Sequence, residues 1–74
     1  MEKFTREELF EMAEEEYAAA GMLPARGSAE WNIWAEGVGE WAYQSEGEAY
    51  QSGDEVREEL RALIAEEKEL RENI

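Results

Sequence analysis

The sequence predicts an all-α fold, an antiparallel three-helix bundle running up-down-up with short loops, as a single helical domain over residues 1–74. Three observations support it. Apolar residues recur at spacings of three and four in three successive segments, the period of a helix with one buried face. The breaks between segments hold a glycine together with a residue suited to start the next helix. Those breaks are short, and short connections make consecutive helices antiparallel neighbours. Helices are expected at about 5–20, 28–52 and 54–73.

The first helix begins at Thr5. Its side chain can accept from the backbone amide of Glu8 while the Glu8 carboxylate reaches back, a capping box just ahead of the apolar series Leu9, Ala13, Tyr17, Ala20. Gly21 suits the left-handed position that ends a helix, and Pro24 in GMLPARGS resists continuing one. Ser28 caps the second helix, along which Trp31, Trp34, Val38, Trp41 and Ser45 form a stripe with Ala35, Ala42 and Ala49 beside it. Gly53 followed by Asp54 reads as stop and restart. Val56, Leu60, Leu63, Ile64, Leu70 and Ile74 then give the third helix its buried edge.

The stretch AEWNIWAEGVGEWAY, residues 29–43, sets three tryptophans beside two glycines. At about 100° per residue the indoles fall on one arc, with Gly37 and Gly39 on its opposite shoulders. A mid-helix glycine costs about 1 kcal/mol relative to alanine, so something should offset it. Close approach of the neighbouring helices is the simpler expectation, since bulky indoles need thin shoulders beside them. A kink or a ligand-sized gap above the glycines is the other.

Composition excludes several classes. Cysteine is absent, so neither a disulfide framework nor a thiolate metal site is available. Histidine is absent too, which removes the usual general base near neutral pH and the commonest transition-metal ligand. With 20 acidic against 7 basic residues the chain carries a formal charge of −13, which repels nucleic acid and anionic membranes and favours a basic protein surface as partner. The N-terminal stretch MEKFTREELF lacks the basic and apolar regions of a signal peptide, and no apolar run approaches the roughly 20 residues that span a bilayer. A cytoplasmic protein is expected.

Two carboxylates stand on apolar arcs, Glu16 between Met12, Ala13 and Ala20, and Glu67 at the heptad position bracketed by Leu63 and Leu70. Buried alone, their acid forms would be favoured, as in general acids and bases. Paired, they are structural: Arg71 lies one turn beyond Glu67, and Arg26 or water can reach Glu16. With no nucleophile–base pair, phosphate-binding glycine loop or metal-ligand spacing in the sequence, no catalytic residue, metal or cofactor is assigned and no enzyme is expected.

The charge pattern is the most informative feature. Arg57, Arg61, Lys68 and Arg71 gather on one flank of the third helix, where acids of a neighbouring helix can meet them. Glu7, Glu11, Glu14 and Glu15 outside the first helix, with Glu36, Glu40 and Glu48 outside the second, are expected to stay unpaired. Carboxylates one helical turn apart make a fixed lattice of negative charge that a phosphate-binding surface could accept. Tyr43 and Tyr50, a heptad apart at the polar boundary where Ile33 is also stranded, are candidate anchors. In composition the chain resembles the small acidic helical proteins that phages and plasmids use as inhibitors, antitoxins or nucleic-acid mimics, and also a designed bundle. The expected function is non-enzymatic binding to a basic surface, with Glu7, Glu11, Glu14, Glu36, Glu40, Tyr43 and Tyr50 as contacts. The alternative is a bundle that holds a small aromatic ligand between the second helix and its neighbours through Trp31, Trp34, Trp41, Gly39 and Glu67. A homo-oligomer through Ile33, Tyr43 and Tyr50 is compatible with either.

Overall fold

The protein is described by a computed structural model covering residues 1–72. Asn73 and Ile74, which the sequence reading placed at the end of the third helix and on its apolar edge, lie outside the described residues. The described chain is mostly helical, in the order β1 (Glu2–Lys3), α1 (Arg6–Ala19), α2 (Ala29–Ser45), β2 (Ala49–Tyr50) and α3 (Gly53–Glu72). The strands are the unexpected element. They pair antiparallel, Glu2 with Tyr50 and Lys3 with Ala49.

Local chemistry explains the boundaries. At the start of α1 the Glu8 amide donates to Thr5 Oγ1 at 3.2 Å, and the Thr5 amide donates to Glu8 Oε1 at 3.0 Å. The capping box thus satisfies two amides that helix geometry leaves without partners. The helix closes where Gly21 takes φ 71°, letting the Met22 amide donate back to the Tyr17 carbonyl at 2.9 Å. That bond, with Met22 buried near Tyr17, is the six-to-one closure that ends many helices. Ser28 caps α2, its Oγ accepting from the Trp31 amide at 3.1 Å.

α2 was expected to run to residue 52 but stops at Ser45. Glu46 leaves helical geometry at ψ 128°, and Gly47 takes φ 84°, a conformation that costs a side chain strain and glycine none. The chain so turned lays Ala49 and Tyr50 beside the N-terminal segment. The Phe4 and Tyr50 rings then meet at 6.1 Å between centroids.

The core is drawn from all the longer elements: Leu9, Ala13 and Tyr17 of α1, Val38 and Ala42 of α2, Val56, Leu60 and Ile64 of α3, with Met22 from the connection after α1 and Tyr50 from β2. The spacing of four within each helix is the periodicity read from the sequence. The tryptophans, whose stripe was read as part of a buried face, are only half-buried, with Trp34 and Trp41 packed at the margin of the core. α1 packs against both other helices, whereas α2 and α3 hardly approach one another. The glycines follow from this. A side chain begun at Gly37 or Gly39 would meet nothing within 4 Å, so they do not permit a close helix approach, and the expectation of tight shoulders is overturned. Gly37→Ala and Gly39→Ala should each therefore raise stability by about 0.5–1 kcal/mol through helix propensity and a less flexible unfolded chain. Urea denaturation checks this; a lower midpoint would mean that the bare backbone is needed.

Candidate functional site

Because α2 and α3 lean apart, a groove of about 680 Å³ runs between them. One wall is Trp34, Gly37, Val38 and Trp41, the other Leu60, Leu63 and Leu70, and Tyr17 of α1 lies at its base. Leu63 and Leu70 were expected to be buried against the bundle, but Leu70 is 63 % exposed, because the helix that would cover it stands off. Trp34 is held by edge-on packing against Phe10 and Tyr17, with ring centroids 5.6 and 5.4 Å away. Its Nε1 is buried without a partner, an uncommon state for a strong donor. Trp41 reaches across the mouth and donates from Nε1 to Glu59 Oε1 at 3.4 Å.

Glu67 also lines the groove, and its neighbour is Tyr17 rather than the expected Arg71: the phenol donates to Glu67 Oε1 at 3.1 Å. Burial, reinforced by the Glu67 charge and this bond, pushes the Tyr17 hydroxyl up to about 12, so it stays a donor through the physiological range. Of the residues proposed for an aromatic ligand, Trp34, Trp41 and Glu67 thus come together. Trp31 and Gly39 do not. Trp31 lies beside Trp34 beneath the Arg26 guanidinium, 5.5 Å from its ring centroid, and Gly39 faces a different cleft. Sequence spacing put both glycines beside the indoles, but only Gly37 forms part of the groove.

The second cleft, about 520 Å³ between α1 and α2, gathers Glu7, Glu11 and Glu14 with Arg6, Phe10, Arg26 and Gly39. The expected acidic contacts Glu7 and Glu11 form no ion pair among the described residues, nor do Glu36 and Glu40 on the exposed side of α2. Glu14, expected to be free, lies 3.9 Å from Arg26. Tyr43 is 65 % exposed beneath the Arg6 guanidinium, 5.7 Å from its ring centroid. Tyr50 is only 4 % exposed and cannot anchor a partner from where it stands; the turn at Gly47 carries it into the core.

Glu16 is the most tightly held carboxylate. Its side chain is 11 % exposed, and it accepts from Arg61 Nε at 2.8 Å and from an Arg57 guanidinium nitrogen at 2.9 Å. The other Arg57 nitrogen meets Glu15 at 2.8 Å, so Glu15 is not free either. The Arg61 hydrogen bond holds the Glu16 carboxyl below its ordinary range; burial opposes this, and Arg57 adds to it. Of the two readings of Glu16, the favoured acid form is excluded and the structural pairing holds, with Arg57 and Arg61 in place of the expected Arg26 or water. Glu16 is an ionised structural tie between α1 and α3, and Arg57 and Arg61 of the basic flank meet acids of a neighbouring helix as the pattern suggested, whereas Lys68 and Arg71 form no ion pair among the described residues.

Among the described residues no group of carboxylates is arranged to hold a metal ion, and no helix is long and apolar enough to cross a membrane. No family model, curated protein or solved structure matches the chain.

Proposed function

We propose that the protein is a non-enzymatic acidic binding module that acts in the cytoplasm by occupying a basic surface of a partner protein, in the manner of an inhibitor, antitoxin or nucleic-acid mimic. The observation that carries this reading is the charge left over after folding. The chain has a formal charge of −13, and Arg57 and Arg61 are already engaged by Glu15 and Glu16, with Arg26 beside Glu14. Glu7, Glu11, Glu36 and Glu40 remain as acids turned to water, on one turn's spacing in each helix. Neither nucleic acid nor a membrane suits such a surface as a direct partner.

An up-down-up course belongs to the same reading. It is supported by Arg6 at the start of α1 over Tyr43 near the end of α2, and by Met12 near Gly53 and Tyr17 against Glu67 along α3.

The test is kinetic. With a purified basic partner, the pairs Glu7→Lys with Glu11→Lys and Glu36→Lys with Glu40→Lys should slow association about tenfold at low salt and leave dissociation nearly unchanged. Added salt should weaken wild-type binding, and nucleic acid should compete for the partner. Binding indifferent to salt and to both reversals would overturn the reading.

A second reading, a small aromatic ligand held between α2 and α3, is favoured by the presence of Trp34, Trp41 and Glu67 in one groove. Saturable quenching of tryptophan fluorescence by such a compound supports it; a linear response does not. Self-association retains Ile33 and Tyr43 as exposed contacts and loses Tyr50.

A further inference from the structure

We propose that the groove between α2 and α3 is the docking site for a single amphipathic helix with basic flanks, supplied by the partner protein. This rests on the basic-partner reading above and specifies the element that the site takes. The bundle is short of one helix: α2 and α3 each bury one edge against α1 and leave a second apolar edge facing the space between them. Between Glu30 and Trp41 on one wall, and between Leu60 and Arg71 on the other, the groove spans about three turns, roughly 16 Å at 1.5 Å per residue. That length matches apolar anchors at i, i+3 or i+4, and i+7 of an incoming helix. Ile33 at 74 % exposure and Leu70 at 63 % extend the apolar walls to the outer surface, where a helix covers them and a small molecule does not.

Charge selects the occupant. Among the lining residues two acids, Glu30 and Glu67, stand against one base, Arg71, and Glu59 accepts from Trp41 of one wall. A helix with lysine or arginine beside its apolar stripe meets carboxylates on both walls. A second copy of this chain brings its own formal charge of −13 to the same rim and is repelled.

The probe is an acetylated, amidated peptide of about 14 residues, with leucine at the helical apolar positions and lysine elsewhere, compared by calorimetry at physiological salt with a scrambled isomer that has no apolar stripe. The patterned peptide should bind at least about tenfold more tightly than the isomer, and Gly37→Leu, which fills the groove where nothing lies within 4 Å, should abolish that advantage without lowering the urea midpoint. Equal binding of the two peptides, or indifference to Gly37→Leu, overturns the groove proposal and leaves the basic-partner reading standing. A peptide with glutamate in place of lysine that binds equally well, still dependent on Gly37, overturns the choice of a basic occupant. Failure of both lysine peptides to bind overturns this proposal, while the basic-partner reading stands or falls by the salt dependence and charge reversals given above. A dimer of the protein alone that Gly37→Leu dissociates assigns the groove to a second copy and overturns the proposal.

Discussion

Tyr50→Ala should cost about 3–5 kcal/mol of folding stability, the range for emptying a buried aromatic site. The same change at Tyr43 should cost under about 1 kcal/mol, the worth of an exposed cation–π contact with Arg6. The contrast arises because one ring is core and the other surface, although the sequence spaces them as equivalents. Tyr50 packs against Phe4, and its hydroxyl donates to Glu48 Oε2 at 3.2 Å. Small domains have only about 5–15 kcal/mol in total, so Tyr50→Ala should leave a substantially unfolded chain at modest temperature. Thermal and urea unfolding of the two variants check this. Equal losses would mean that Tyr50 is not held in the core.

The second large effect is expected at Glu16. Glu16→Ala removes the acceptor shared by Arg57 and Arg61 and should cost about 1.5–3 kcal/mol at neutral pH, as for hydrogen bonds to charged groups. Glu16→Gln should also destabilise, the opposite of what a buried neutral acid would give. The pH dependence has a definite sign. The folded-state value of this carboxyl is lowered, so its contribution is complete above the unfolded value and disappears as pH falls through the folded one. Wild type minus Glu16→Ala should therefore narrow below about pH 4. Taking the difference between the two proteins cancels the general relief of repulsion that acid brings to so acidic a chain. A difference that persists at low pH would show that Glu16 acts through packing alone.

The parts that were legible in the sequence are those decided by neighbours along the chain. Thr5 with Glu8, Gly21 and Ser28 mark helix ends through atoms a few residues apart, and the structure puts the bonds there. The end of α2 was not legible, because Ala42, Ser45 and Ala49 keep a helical spacing through the turn and a two-residue strand has no period to detect. Its partner is Glu2–Lys3, far away in sequence. Gly47 was the available signal, a single glycine between two glutamates.

The candidate site divides in the same way. Periodicity identifies which residues avoid water and does not say which two helices share them, so Leu63 and Leu70 were assigned to a seam that stands open. Trp34, Trp41 and Glu67 were found from their unusual positions, but the partner of Glu67 is Tyr17, on another helix. Glu16 was given Arg26 or water as its partner for the same reason: both the arginines that hold it lie on α3.

The short ladder between β1 and β2 also constrains the order in which the chain assembles. Joining Glu2 to Tyr50 closes a long loop, at an entropic cost on the order of 3 kcal/mol for a chain segment of this length. A two-residue ribbon cannot offset that by its own hydrogen bonds, each worth about 1 kcal/mol net. It forms once α1 and α3 have already brought Phe4 and Tyr50 together, after the more local contact of α1 with α2. The backbone pairing of the ribbon is thus expected to form late in folding and to open early, ahead of the packing of the Tyr50 ring. Its amides should exchange with solvent faster than those at Leu9, Ala13 and Leu60, where release requires the helices to separate.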